Sequence, residues 1–119
     1  MSETDIVFLP NHKAAFDVTV KGENTGMVYT GKFVIRLFLS LKQRQSLAVE
    51  YSRRDIGNEK DAFMSSIVQS ICELIHHCEE TPDWFKPDRI WDLVDLQPIV
   101  AVREKLEEAL EIHVKALNQ

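Results

Sequence analysis

Phe16-Asp17-Val18-Thr19-Val20, then Lys21-Gly22-Glu23-Asn24-Thr25-Gly26, then Met27 through Leu39, is the stretch that decides the fold. Phe16, Val18 and Val20 alternate with Asp17 and Thr19, the two-residue period of a strand with one face in a core. The six residues that follow hold two glycines and Asn24, residue types that accept positive φ, and predict a turn. The parity then resumes, with Met27, Tyr29, Phe33, Ile35, Leu37 and Leu39 on one face and Lys32 and Arg36 on the other. This spacing predicts a β-hairpin whose second arm is the longer, with a bulge or bend at Gly31. A two-stranded hairpin is marginal alone, so helices or a further strand must cover it.

Working outward, the pattern turns helical. Ser40-Leu41-Lys42-Gln43 has the form of a capping box, and predicts a helix from about Leu41 to Arg54 that ends near Gly57. Its apolar content is thin (Leu41, Leu47, Ala48, Tyr51), and Lys42, Arg44, Arg53 and Arg54 outnumber Glu50. Asn58 is the expected cap of a second helix, about Glu59 to Glu79. There Phe63, Ile67, Ile71, Leu74, Ile75 and Cys78 form one stripe. Pro82 and Pro87 interrupt the pattern around Trp84, Phe85, Ile90 and Trp91. A third helix is expected after Asp95 or Gln97 as cap, with Pro98 in its first turn. Its apolar residues recur at three and four, and Arg103/Glu107 and Glu111/Lys115 are favourable pairs. The fold class is α+β: an N-terminal β-hairpin in a small antiparallel sheet, packed on three α-helices. Residues 1–13 are expected to be an arm whose Ile6-Val7-Phe8-Leu9 strip adds to a sheet edge or tucks under the domain, and 14–119 a single domain.

At 119 residues, with 45% hydrophobic and 28% charged, the chain can build a core without staples. Its net charge of −5 gives no global attraction to nucleic acid or anionic lipid, so neither is an expected partner. No apolar run is long enough for a membrane span, and the acidic start does not resemble a signal peptide. Two cysteines in a chain of this size are not a disulfide framework, which points to the cytoplasm.

The candidates for chemistry are few. Cys72 and His76 stand four apart, a spacing that can place two ligands on one metal, but His77 and Cys78 point elsewhere and no CxxC or HExxH completes a set. Buried cysteines and histidines ending a helix account for that run without a metal. No GxSxG elbow, GxGxxG or P-loop occurs. Asp83, Asp88, Asp92 and Asp95 are expected to cap turns. No cofactor, metal or catalytic residue is expected, and the basic first helix is most simply a solvated face.

Trp84 and Phe85, between two prolines, either plug the core or anchor a partner, as tryptophan often does at interfaces. Trp91, beside Ile90, Leu93 and Val94, is assigned to the core and Trp84 to the rim. Phe33 and Ile35, on the longer hairpin arm, are expected to join a second copy or a partner by strand addition.

The segments Tyr29-Thr30-Gly31-Lys32-Phe33-Val34-Ile35 with Leu39-Ser40, and Pro82-Asp83-Trp84-Phe85 with Trp91-Asp92-Leu93-Val94-Asp95-Leu96-Gln97-Pro98-Ile99, resemble small tailed-bacteriophage tail assembly chaperones and tail accessory proteins. The resemblance runs in order over about residues 27–110. It implies a non-enzymatic adaptor that binds a phage protein of the tape-measure or tail-tube type, in the cytoplasm of an infected bacterium or in the virion. The alternatives are a structural head, neck or tail component, a host-directed inhibitor, and, last, a small hydrolase.

Overall fold

The computed structural model describes residues 5–57 and 60–117. Four antiparallel strands lie in the order β1-β2-β3-β4: β1 is Val7–Leu9, β2 Lys13–Lys21, β3 Val28–Arg36 and β4 Cys78–Glu80. Helices α1 (Leu41–Arg54), α2 (Ala62–His77) and α3 (Gln97–Leu117) complete an α+β fold, with short 3-10 turns at Asp83–Phe85 and Ile90–Asp92. Among the described residues no helix is long and apolar enough to cross a membrane.

The alternation seen in the sequence places the sheet. Phe16 and Val18 are buried while Asp17 and Thr19 are exposed, and Phe16 pairs directly with Phe33, ring on ring at 5.6 Å. That face packs on α2 through Ile71 and Leu74, and on α3 through Ile99, Val102, Leu106 and Ala109. The opposite face is mixed: Ala15 and Val34 are buried on it, while the Thr19 and Thr30 hydroxyls lie 2.9 Å apart across the strands. Such pairs fix register, because a one-residue slip would turn every apolar side chain to water.

The hairpin differs from expectation in two ways. Its arms are equal, nine residues each. Gly31 lies in regular register with Val18, and the irregularity in β3 falls between Val34 and Ile35, where β4 joins. Gly31 is small for another reason: a Cβ there would meet Pro82 Cγ at 2.5 Å. The loop after β4 presses directly onto the strand.

Of the two placements open to the strip in the arm, it takes the sheet edge, as β1 beside β2. Pro10 leads into Asn11 and His12, at φ 66° and 59°, and consecutive left-handed residues suit the tight turn that brings β1 back on β2. Ile6 is buried, so this arm belongs to the core.

Helix α1 begins as its capping box requires, with Gln43 N donating to Ser40 Oγ and Ser40 N to Gln43 Oε1. The proposed Asn58 cap lies outside the described residues. Asp61 caps α2, accepting from Met64 N at 3.0 Å. That helix ends at His77 rather than Glu79, and Cys78 turns extended into β4. Pairing with the β3 edge outcompetes another half-turn of helix there. Arg36 Nη1 donates to the His76 carbonyl, His77 Nδ1 lies 2.7 Å from the Arg36 carbonyl, and Lys13 and Glu79 form an ion pair.

Candidate functional site

Three of the four residues read as partner contacts are scaffold. Phe33 and Ile35 are fully buried between sheet and helices, and Phe85 is buried beneath them with its ring edge-on to Phe33 at 5.0 Å. The Pro-bounded loop is therefore a plug, and Ile90 fills the same layer. These side chains point inward because they sit on the buried parity of β3 and inside the 3-10 turns.

Trp84 and Trp91 do not divide as the sequence suggested. Both are half-buried against the core. The Trp84 ring stands edge-on to Tyr29, Phe33 and Phe85, and its Nε1–H donates to the Thr30 carbonyl at 3.1 Å. It acts as a side-chain substitute for a strand partner, occupying part of β3 that β4 does not reach. Trp91 carries the Arg54 guanidinium over its ring at 4.2 Å, a cation–π contact that pins the end of α1.

The carboxylate of Asp95, expected to cap α3, instead organises the hairpin turn. It is buried, yet Oδ1 accepts from Asn24 N and Thr25 N, and Oδ2 accepts from Thr25 Oγ1 and Tyr29 Oη. Donation led by the Thr25 hydroxyl holds this carboxyl below the usual carboxylate range, while the hydrogen bond to Asp95, with burial, pushes the Tyr29 phenol up. Gly22 is required beside it, since a Cβ would lie 2.1 Å from Asp95 Oδ2. Gln97 and Glu23 add a reciprocal pair of hydrogen bonds. No local sequence signal joins residues 22–29 to 95; only the run of donors in Asn24-Thr25 and the lone buried acid hint at it. With every lone-pair direction taken, Asp95 is a structural group rather than a base.

The cysteine–histidine run has an equally structural account. Burial pushes the Cys72 thiol up to about 11 and the Cys78 thiol up to about 12, which leaves both protonated at neutral pH. Cys78 belongs to β4, so the two cysteines do not share a helix. His76 Nδ1 lies 2.8 Å from the Cys72 carbonyl, and burial lowers the affinity of His77 for a proton. Among the described residues no three His, Cys, Asp or Glu side chains are arranged to hold a metal ion.

Two mainly apolar clefts and one helix face stand out among the described residues. One cleft, about 410 Å³, is lined by Phe8, Leu37, His12, Ile112 and His113, where the two imidazoles meet edge to face at 5.8 Å. The other, about 440 Å³, lies beside Met27, Tyr29, Trp84, Arg89 and Val94. The helix face is the largest departure from a self-contained fold. No residue of α1 is buried, and Leu41, Val49 and Ile56 are 85%, 63% and 76% exposed, with Phe63 at the start of α2 64% exposed. The helix is held to α2 by a Tyr51–Ser65–Asp55 hydrogen-bond chain, with Leu47 and Tyr51 half-buried beside it. Sequence analysis counted the thin apolar content of α1 but missed its direction. The signal was the placement of Leu41, Val49 and Ile56, seven to eight residues apart and away from Tyr51.

Comparison with family models, curated proteins and solved structures yields no match to this chain.

Proposed function

We propose that this chain is a non-enzymatic assembly protein of a tailed bacteriophage, a tail assembly chaperone or accessory factor that holds another phage protein on its α1–α2 hairpin. One observation carries the interaction role: no residue of α1 is fully buried, and Leu41 and Val49, with Ile56 just past its end, are exposed. A short helix in water draws most of its stability from packing an apolar face. Exposed apolar surface concentrated on one element marks a contact surface more often than scattered leucines do. The choice of phage tail biology rests on the sequence resemblance over about residues 27–110. Its expected partner is of the tape-measure or tail-tube type, met in the cytoplasm of the infected cell. Self-association by strand addition belongs to the same proposal, because past β4 at Val34–Ile35 and the Trp84 indole at Thr30, no strand pairs the outer side of Val28–Tyr29 among the described residues.

The test is affinity capture of the tagged chain from infected cells, together with mass spectrometry of purified virions. A tail protein captured in stoichiometric amount, with the chain absent from finished particles, is the expected result. Retention in the particle would make it a structural component. Capture of a host enzyme alone would make it a host-directed inhibitor and end the assembly role.

A further inference from the structure

We infer that the occupant of the α1 face is an acidic amphipathic helix of a partner protein, an inference that rests on the interaction role proposed above and adds the chemistry of the partner. The 3.6-residue period puts Leu41, Gln45, Ala48, Val49 and Ser52 on one side of α1, while the half-buried Gln43, Leu47, Glu50 and Tyr51 face the domain. The outward stripe holds no charge. Lys42 and Arg53 border it on one flank and Arg44 on the other.

The border is electropositive in a chain of net charge −5. Glu50 is the one acid in α1, and it already faces both Arg53 and Arg54. Among the described residues Lys42 and Arg44 have no carboxylate within ion-pair distance. The stripe runs along α1, about 21 Å at the helical rise, with Leu41 seven and eight residues from Ala48 and Val49. That shape fits a second helix, laid along the first, with its own apolar residues at heptad spacing and Asp or Glu beside them.

Charge decides between occupants. A second copy pairing α1 on α1 would set Lys42 and Arg53 against basic residues in either direction, and like charges at such a seam oppose association. An anionic membrane would gain three or four local cations but meet a net negative protein. An acidic helix satisfies both the stripe and its border, and steers its own approach through the border charges.

The experiment uses the full chain and two synthetic three-heptad helical peptides with identical leucine seams, one flanked by Glu and one by Lys. Calorimetry should show the Glu peptide binding about tenfold or more tighter than the Lys peptide, and weakening as salt rises. Amide shifts should change along residues 41–56 and at Phe63. The Val49→Glu variant should melt with the parent and lose the binding. A Lys42→Glu/Arg53→Glu variant should reverse the preference between the peptides. Equal affinity for the two peptides, shift changes elsewhere, sedimentation with phosphatidylglycerol vesicles through this face, or a dimer that Val49→Glu converts to monomer would each overturn the inference. If the Glu peptide fails while Val49→Glu still loses the phage protein captured from infected cells, the partner chemistry is wrong and the assembly role stands.

Discussion

Replacing Trp84 tests whether the loop after β4 is scaffold or contact surface. Complete burial of a tryptophan lost to alanine costs about 3–5 kcal/mol. Trp84 is half-buried, so its edge contacts with Tyr29, Phe33 and Phe85 should contribute about 2 kcal/mol of that range. The indole hydrogen bond to the Thr30 carbonyl adds about 1 kcal/mol. Trp84→Ala should then cost about 3 kcal/mol, and Trp84→Phe, which keeps an aromatic ring but not the donor, about 1 kcal/mol. For a chain of this length that corresponds to melting shifts of roughly 12 °C and 4 °C. Trp91→Ala should cost a similar 2 kcal/mol and, by removing the seat of Arg54, loosen the end of α1. Urea unfolding followed by far-ultraviolet circular dichroism measures both without relying on tryptophan emission. A Trp84→Ala variant that melts within two or three degrees (roughly 0.5 kcal/mol) of the parent would refute this account and return Trp84 to the surface.

Three further outcomes can be checked by similar means. Gly31→Ala should cost about 1–3 kcal/mol, because the new methyl group meets the Pro82 ring carbons rather than a flexible side-chain end; a neutral result in urea unfolding would show that the loop yields. His77 is depressed by burial against the opposing pull of the Arg36 carbonyl and Glu73, so its contribution to stability is present above the ordinary imidazole value of about 6.5 and is lost as pH falls through the lower folded value. Urea midpoints between pH 5 and 7.5 should decline toward acid, and His77→Asn should flatten the decline. Asp95 acts in a lower window: its depressed carboxyl stabilises above the ordinary value of about 3.9, and that stability disappears as pH falls through the folded value, so Asp95→Asn should shrink the acid limb, which Glu50 and Glu79 share, and lower the melting midpoint at neutral pH.

The elements whose cause is local were legible. Alternation at Phe16–Val20, the Ser40–Gln43 box and the three-four spacing of α3 each act within a few residues of themselves, and each stands where the sequence put it. What escaped was decided by distant partners. Cys78-Glu79-Glu80 has no strand signal, and becomes β4 because the β3 edge, Lys13 and Arg36 receive it. Phe33 and Ile35 read as partner contacts, and Phe85 as either plug or anchor, because residue type cannot distinguish a core side chain from a contact one; only the layer formed by α2, α3 and the 3-10 turns does so. The α1 face was missed for the opposite reason. Its three exposed apolar residues are too few to outweigh its basic residues in composition, and their meaning lies in what α1 does not touch.

The tie between Asp95 and the turn at residues 22–27 also has a temporal consequence. Four donors of the turn and its flank, Asn24 N, Thr25 N, Thr25 Oγ1 and Tyr29 Oη, are accepted by a carboxylate about 70 positions later in the chain. On a ribosome, β2 and β3 emerge long before Asp95, and the early hairpin must wait with its turn amides open to water. Closure over such a separation is slow relative to local hairpin formation. Synthesis at about 5–20 residues per second leaves several seconds between the two events. Nascent chains arrested just before and just after residue 95 clears the exit tunnel should therefore differ sharply in protease resistance at Gly22–Met27, the segment made first and secured last.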